Sequence, residues 1–177
     1  MKKRIHILGA SGSGTTTLGK ALSLILPHVH LDSDDFFWAQ KYTERRPPEE
    51  RLRLLKQEMQ PCPQWMLSGS VCRWGDALKS EFDLVIFLRI PHELRMERLR
   101  ARERQRYGDD ILPDGSRYED YCKFMDWAAR YDEAGPEIRS RTLHEQWISE
   151  LTCPVLRLEE DLTVEQRVKH SMDCIMT

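Results

Sequence analysis

The chain has no long apolar run, no paired-cysteine motif and no large excess of either charge. Its 177 residues contain no apolar stretch of the length, about eighteen residues, that a membrane-spanning helix needs. The basic start, residues 1–4, leads directly into a strand-like segment and not into the apolar core of a signal peptide. The sequence therefore predicts a protein that enters no membrane and works in the cytoplasm.

The cysteines and the charges exclude further classes of protein. The five cysteines, at positions 62, 72, 122, 153 and 174, form no C-x-x-C pair. An odd, scattered set is typical of a reducing compartment, so neither a zinc site nor a disulfide framework is expected. The 27 basic and 29 acidic residues give a formal net charge of −2. Because this charge gives no general attraction to nucleic acid, any basic chemistry must be local.

Strand-like and helix-like segments alternate along the chain, without internal repeats. The predicted strands cover residues 4–8, 28–31, 65–67, 84–88 and 155–158, and the predicted helices cover residues 16–26, 48–59, 91–106, 119–131, 141–150 and 164–174. The strand at 84–88 is apolar throughout and is predicted to lie near the sheet centre. The alternation predicts a single α/β domain, residues 1–177, with three layers and a five-stranded parallel sheet.

A glycine-rich loop follows the first strand and precedes the first helix. It reads Gly9-Ala10-Ser11-Gly12-Ser13-Gly14-Thr15-Thr16, followed by Thr17. This matches the phosphate-binding pattern G-x-x-x-x-G-K-[ST] at every position except Thr15, where lysine is expected. In that pattern backbone N–H groups surround the α- and β-phosphates, and the last hydroxyl, here Thr16, coordinates Mg²⁺. A glycine turn that binds nothing is the alternative.

Three carboxylates, Asp32, Asp34 and Asp35, come directly after the second strand. In an open α/β sheet the ligand crevice lies at such strand ends. A carboxylate beside a phosphate loop can hold Mg²⁺ or accept the proton of an attacking hydroxyl, and the D-x-D spacing allows one residue for each task. The alternative is a solvated acidic turn.

Candidate acceptor-binding residues follow the second and third strands. Phe37 comes after the acidic cluster and is either a cap on a substrate pocket or a core residue. Gly69 and Ser70 suggest close approach of the backbone to a small ligand, although a tight turn explains them equally well. Arg73 follows within reach of the same crevice.

The segment from Arg89 to Arg106 contains seven arginines and three glutamates. On a helix, Arg95, Arg98, Arg102 and Arg106 share one face, where like charges repel unless an anion lies opposite. For the first turns a solvated face is an equal alternative. For Arg102, Arg104 and Arg106 an anion-binding role is favoured.

Together these motifs resemble the small P-loop kinases: nucleoside monophosphate kinases, shikimate kinase, gluconate kinase and the bacterial proteins described as adenylate-kinase-related or DNA topology modulation-type. The resemblance implies a P-loop NTPase fold with a mobile lid at about residues 100–118. It also implies that residues 9–17 bind the phosphates of ATP and that Asp34 contacts the acceptor. Thr16 would hold magnesium, and Asp32 would either hold magnesium or take part in proton transfer. Arg102 and Arg106 would close over the site as part of the lid.

The sequence thus predicts a kinase that moves the γ-phosphoryl group of MgATP to a small-molecule or nucleotide acceptor. Asp32, Asp34, Arg102 and Arg106 are the predicted catalytic residues. Thr15 departs from the pattern, and either Lys20 or a lid arginine must replace the missing charge. If neither does, the chain is a nucleotide sensor with little turnover. A DNA-associated modulator is a third alternative, against which the overall charge argues. Neither a membrane nor a nucleic acid is an expected partner.

Overall fold

A computed structural model describes residues 1–177 as an α/β fold built on a five-stranded, all-parallel sheet. The elements in chain order are β1 (Arg4–Gly9), α1 (Thr15–Ser23), β2 (Val29–Asp32), α2 (Ser33–Phe37), β3 (Trp38–Gln40), β4 (Glu44–Arg45), α3 (Pro48–Met59), β5 (Trp65–Ser68), β6 (Leu84–Leu88), α4 (His92–Tyr107), α5 (Tyr118–Ala129), α6 (Arg141–Ser149), β7 (Val155–Leu158) and α7 (Val164–Met176). Short 3-10 helices cover Asp76–Glu81, Gly108–Ile111 and Arg130–Asp132. None of the helices is both long and apolar enough to span a membrane.

The strand order is β2-β5-β1-β6-β7, with β1 in the centre. As predicted, β6 lies near the centre, paired with β1 on one side and β7 on the other, and all five of its residues are buried. Register places Asp32 opposite Ser68 and Gly9 opposite Leu88. The carboxyl ends of the strands therefore meet along one edge of the sheet.

Helices cover both faces of the sheet, which confirms the predicted three layers. Alternate strand residues point to opposite faces, so Ile5 and Ile7 pack with Leu18 and Leu22 of α1 and with Ile175 of α7. The other face packs against α3 and α6 in a second apolar cluster. Outside the sheet, α4 packs on α5 in a third, smaller cluster.

The structure differs from the predicted elements in two places around the site. The acidic turn is a short helix, α2, because Asp32 caps it by accepting a hydrogen bond from the Asp34 backbone N–H at 3.0 Å. A two-stranded antiparallel hairpin, β3–β4, follows α2 and was not predicted. Its conformation is supported by Arg46, which donates hydrogen bonds to the carbonyls of Asp35, Phe36 and Trp38.

The first helix ends at Ser23, three residues earlier than predicted. Leu24 and Ile25 continue the apolar pattern but are 87% and 56% exposed, so they do not extend the packed face of α1. Residues 100–118, predicted as a lid, form the last turns of α4, the following 3-10 helix and the start of α5. Their mobility remains a prediction.

Candidate functional site

A cleft of about 930 Å³ lies at the carboxyl edge of the sheet. Its walls come from the glycine loop, the end of β2, the segment after β5 and the helices α4 and α7. These segments are far apart in the sequence and meet only because the parallel strands place their carboxyl ends together. The cleft is therefore the candidate site.

The glycine loop occupies the floor of the cleft between β1 and α1. Gly12 and Gly14 have φ angles of 85° and 94°, a backbone conformation that favours glycine. A Cβ at Gly12 would come within 2.9 Å of the Leu99 side chain, so the loop also packs closely against α4. The backbone conformation at both positions, and the close packing at Gly12, therefore favour glycine.

The N-terminus of α1 faces the cleft without a cap. Gly14 is its N-cap residue and offers no side chain, and the first turn contains no acidic residue. The N–H groups of Thr15, Thr16 and Thr17 have no intrahelical acceptor, as in any first turn, and these residues line the cleft. Unpaired N–H groups and the helix dipole together favour an anion at this position.

Thr16 and Asp32 form a pair at the rear of the loop. The Thr16 hydroxyl donates a hydrogen bond to Oδ2 of Asp32 at 2.7 Å, and Oδ1 of Asp32 caps α2. The structure thus brings together the two residues that the resemblance assigned to magnesium. A hydroxyl and a carboxylate beside an anion site are hard oxygen ligands of the kind that Mg²⁺ takes.

Asp34 lines the cleft one residue into α2. Its carboxylate makes no hydrogen bond within the chain, whereas its backbone N–H donates to the Asp32 carboxylate. Burial and, second, the charge of Asp32 raise the pKa of Asp34, while Arg139, Lys41 and Arg102 oppose the rise. A carboxylate with an elevated pKa and unoccupied oxygens can accept a proton from a bound hydroxyl.

Gly69 and Ser70 continue the wall after β5. Gly69 has φ of 97°, and a Cβ there would come within 2.0 Å of the Ser33 hydroxyl, so this turn needs glycine. The Ser70 hydroxyl contacts Nε2 of His144 at 3.1 Å, and Nδ1 of that histidine contacts the Tyr131 hydroxyl at 2.9 Å. This buried chain of side chains fixes the position of Ser70.

The arginines of α4 divide between the cleft and the protein interior. Arg98, Arg102 and Arg106 line the cleft. Arg95, on the same face in the sequence, is 1% exposed and donates to the Ala128 carbonyl at 2.8 Å, because α5 covers that part of the helix. Arg104 does not line the cleft and donates instead to the Gly108 carbonyl at 3.0 Å.

Glu103 organises the two predicted catalytic arginines. It is 7% exposed, accepts a hydrogen bond from Nε of Arg102 at 2.9 Å, and lies 3.4 Å from Nη1 of Arg106. Part of the charge of both arginines is therefore already balanced. Each still has guanidinium N–H groups that can contact an anion in the cleft.

The tip of the β3–β4 hairpin reaches the same cleft. Asp35 lines it, but its carboxylate pairs with Lys41 at 3.1 Å on an exposed surface. Tyr42, with φ of 67°, places its ring 4.4 Å from the guanidinium of Arg106. The hairpin and α4 thus meet across the top of the cleft, a contact that the sequence did not indicate.

Two further arginines line the cleft and were missed from the sequence. Arg139 comes from the loop before α6 and lies near enough to Asp34 to lower the pKa of that carboxyl. Arg167 comes from α7 and donates to the Ser13 carbonyl at 2.8 Å. Neither belongs to a motif, since an isolated arginine in a loop or helix carries no signal before the fold is known.

Besides Arg104, three predicted site residues lie outside this cleft. Ser13 is fully buried within the loop. Phe37 and Arg73 line a second, smaller cavity of about 430 Å³, which shares Ser70 and Arg139 with the main cleft. Arg73 is held there by hydrogen bonds to the carbonyls of Pro136 and Glu137.

A curated relative covers nearly the whole chain. The uncharacterized protein YqaC of Bacillus subtilis (strain 168) is 56% identical over 173 residues, which are 98% of this chain and 97% of the relative. The chain belongs to the YqaC family. No protein-family model matches it.

Solved kinase structures share the fold of this YqaC-family chain. A shikimate kinase from Bacteroides thetaiotaomicron covers 100% of both chains at 17% identity, with a TM-score of 0.61. The deoxyadenosine kinase of M. mycoides with bound dCTP covers 98% of both chains at 14% identity, with a TM-score of 0.55. A gluconokinase from Sinorhizobium meliloti 1021 matches at 14% identity over 98% of this chain and 91% of its own, with a TM-score of 0.53. The YqaC-family chain therefore has the P-loop kinase fold, as its motifs predicted.

Proposed function

We propose that this protein is an ATP-dependent phosphotransferase that moves the γ-phosphoryl group of MgATP to a hydroxyl of a small, anionic acceptor. The observation that carries the proposal is the arrangement of three features in one cleft. The uncapped first turn of α1, the Thr16–Asp32 pair and the unpaired carboxylate of Asp34 all line it. They supply an anion site, a metal site and a proton acceptor next to one another.

The residues present fit magnesium as a partner of the nucleotide. No group of three or more His, Cys, Asp or Glu side chains is arranged to hold a metal by itself. Mg²⁺ commonly takes only one or two carboxylates and fills its remaining positions with phosphate oxygens and water. Thr16 and Asp32 would hold it, and when bound it would neutralise charge on the transferring phosphoryl group.

Asp34 is the proposed proton acceptor in the transfer. The acceptor hydroxyl oxygen forms a bond to the γ-phosphorus, and the bond from that phosphorus to the β,γ-bridging oxygen breaks. The bridging oxygen leaves with its electron pair as part of ADP, and the hydroxyl proton passes to the Asp34 carboxylate. The raised pKa of Asp34 suits this step, because a base is most effective when its pKa lies closer to the working pH.

Charge around Asp34 favours an anionic acceptor. Arg139 and Arg102 both act electrostatically on Asp34, and both line the cleft. An acceptor that places its hydroxyl at Asp34 would therefore bring a carboxylate or phosphate group within reach of a guanidinium. The acceptor must also be small, because the same cleft of about 930 Å³ has to contain the nucleotide.

The test is acceptor-dependent release of ADP from MgATP by the purified protein. The panel contains three classes of anionic hydroxyl compound, namely nucleoside monophosphates, shikimate and gluconate, and the uncharged nucleosides for comparison. We expect one anionic acceptor to stimulate release, and Asp34→Asn to abolish the stimulation. Asp126→Asn, at an exposed position of α5 outside the cleft and outside the predicted lid, is the matched control. Stimulation that survives in Asp34→Asn would remove that residue from the mechanism.

A nucleotide sensor is the second candidate, and Thr15 is the observation that favours it. Without the loop lysine, the developing charge on the phosphoryl group lacks its usual partner, and comparable cations contribute on the order of 10³ to 10⁵ in rate. The sensor would bind MgATP and release no ADP with any acceptor.

All five cysteines are free thiols, which supports the cytoplasm as the place of action for either candidate.

A further inference from the structure

Arg167 contacts the glycine loop, although it belongs to the last helix. Its Nη1 donates a hydrogen bond to the Ser13 carbonyl at 2.8 Å. A Cβ added at Gly14 would lie 3.1 Å from the same nitrogen, so the guanidinium packs against the last glycine of the loop. The folded chain therefore places a cation against the loop that lacks its lysine.

The guanidinium of Arg167 is buried without an acidic partner. The residue is 4% exposed, and its Nε and Nη2 make no hydrogen bond. Its one hydrogen bond uses a neutral carbonyl, and no carboxylate lies within ion-pair distance. A buried, unpaired guanidinium is costly, because arginine remains charged and loses its hydration.

The surroundings increase that cost. Burial and the nearby charge of Arg98 lower the pKa of Arg167, and only Asp161 opposes them. Both arginines line the cleft on the side of α7. An anion bound in the cleft would offset the repulsion between them.

The other cations at the site are less suited to replace a loop lysine. Arg102 and Arg106 share Glu103, and Arg98 contacts Asp161 at 3.4 Å. Lys20 lines the cleft but is exposed, so its position is not fixed by packing. Arg139 lies beside Asp34 and makes no hydrogen bond to the loop. Of the cleft arginines, Arg167 is the one that is both buried and hydrogen-bonded to the loop.

We propose that Arg167 supplies the positive charge that Thr15 does not, acting on the nucleotide phosphates from its position against the glycine loop. This proposal rests on the proposed function only in requiring that the cleft binds MgATP. It makes Arg167 a nucleotide-binding residue of the YqaC-family site. It also explains how the loop can hold a phosphate chain although its lysine position is occupied by threonine.

The experiment measures binding of MgATP and of adenosine to the wild type, Arg167→Met, Thr15→Lys and the double variant. We expect Arg167→Met to weaken MgATP binding by on the order of 10- to 100-fold, because a positive charge close to the phosphates is lost, and to leave adenosine binding unchanged. Thr15→Lys in the double variant should restore MgATP affinity to within about threefold of the wild type, because it returns the missing charge. Lys169→Met, an exposed charge removal on the same helix, is the control and should bind like the wild type.

A structural role for Arg167 gives a different pattern. If Arg167 only tethers the loop, Arg167→Met would still weaken MgATP more than adenosine, because the loop binds the phosphates, but Thr15→Lys would not restore the MgATP affinity. That result, or an unchanged MgATP affinity in Arg167→Met, would overturn the proposal. Failure of the wild type itself to bind MgATP would instead refute the proposed function, and the role of Arg167 in nucleotide binding would be refuted with it.

A second measurement does not depend on the folding of any variant. The Nε–H resonance of Arg167 in the wild type reports directly on a buried donor that has no partner in the free protein. We expect MgATP to shift this resonance and adenosine to leave it in place. A resonance that MgATP does not move would contradict the proposal even if no Arg167 variant folds.

Discussion

Two buried histidines, His6 and His144, should cause the protein to lose stability when the pH falls from 7 to 5. Both are fully buried. Burial lowers the pKa of His6 to about 4, although its hydrogen bond to the Leu67 carbonyl opposes this. Burial, with Arg139 and His6 adding to the effect, lowers the pKa of His144 to about 3.

The size of the effect follows from the difference between folded and unfolded states. An unfolded histidine takes up its proton as the pH falls through about 6.5, whereas the folded ones remain neutral at pH 5. The unfolded state alone gains protons over about 1.5 pH units, at about 1.4 kcal/mol per unit. Each histidine therefore removes about 2 kcal/mol of stability between pH 7 and pH 5, and the two together about 4 kcal/mol.

The assay compares the free energy of unfolding in urea at pH 7 and pH 5, followed by tryptophan fluorescence. Because carboxylates also titrate in acid, the readout is the difference between variants, not the total loss. His6→Gln and His144→Gln should each reduce the pH-dependent loss by about 2 kcal/mol, whatever their effect on stability at pH 7. His170→Gln, at an exposed position, is the control. A loss of the same size in both buried-histidine variants and the wild type would refute the reasoning.

Three further predictions concern the cleft. Thr15→Lys should preserve or strengthen MgATP binding, measured by calorimetric titration, and weaker binding would show that the loop is not built to accept a lysine. In Asp34→Asn, acceptor-dependent turnover should be lost, and the affinity for MgATP should change by less than about threefold. A larger change in MgATP affinity would place Asp34 in the nucleotide site instead. Arg139 lowers the pKa of Asp34, the proposed base, so Arg139→Gln should raise that pKa. The acidic limb of the plot of kcat/KM against pH should therefore move to higher pH. Arg141→Gln, outside the cleft, serves as the control for Arg139→Gln, and equal profiles in the two variants would argue against Asp34 as the base.

The sheet and the glycine loop could be predicted because their signals are local. The strand from Leu84 to Leu88 is apolar at every position, and buried strands of parallel sheets have this composition. The loop from Gly9 to Thr16 is a contiguous motif between a strand and a helix. The structure of both depends on residues that are adjacent in the sequence.

The rest of the site depends on contacts that sequence patterns do not record. Arg95 and Arg102 occupy equivalent positions on one helical face, and only the packing of α5 decides that Arg95 is buried and Arg102 lines the cleft. Arg139 and Arg167 reach the cleft through the arrangement of α6 and α7. Arg167 lies 154 residues from its partner Ser13, so no local signal could have joined them.

The helix after β2 was missed for a related reason. The sequence Asp32-Ser33-Asp34-Asp35 is typical of a solvated turn, and short polar side chains favour turns over helix interiors. Here Asp32 caps the helix while also accepting the Thr16 hydroxyl. The contact with Thr16 joins two segments that are distant in the sequence, and it supports the position from which Asp32 caps α2.

The most direct test of the central claim is to follow the γ-phosphoryl group itself. A ³¹P NMR time course of MgATP with the protein and a mixture of the candidate acceptors shows where the group goes. The account predicts a new phosphate-ester resonance that grows at the rate at which ADP appears, and that is absent with Asp34→Asn. Unchanged MgATP over the same period, in a preparation shown to bind it, would contradict phosphotransfer and leave the nucleotide sensor as the function of the cleft.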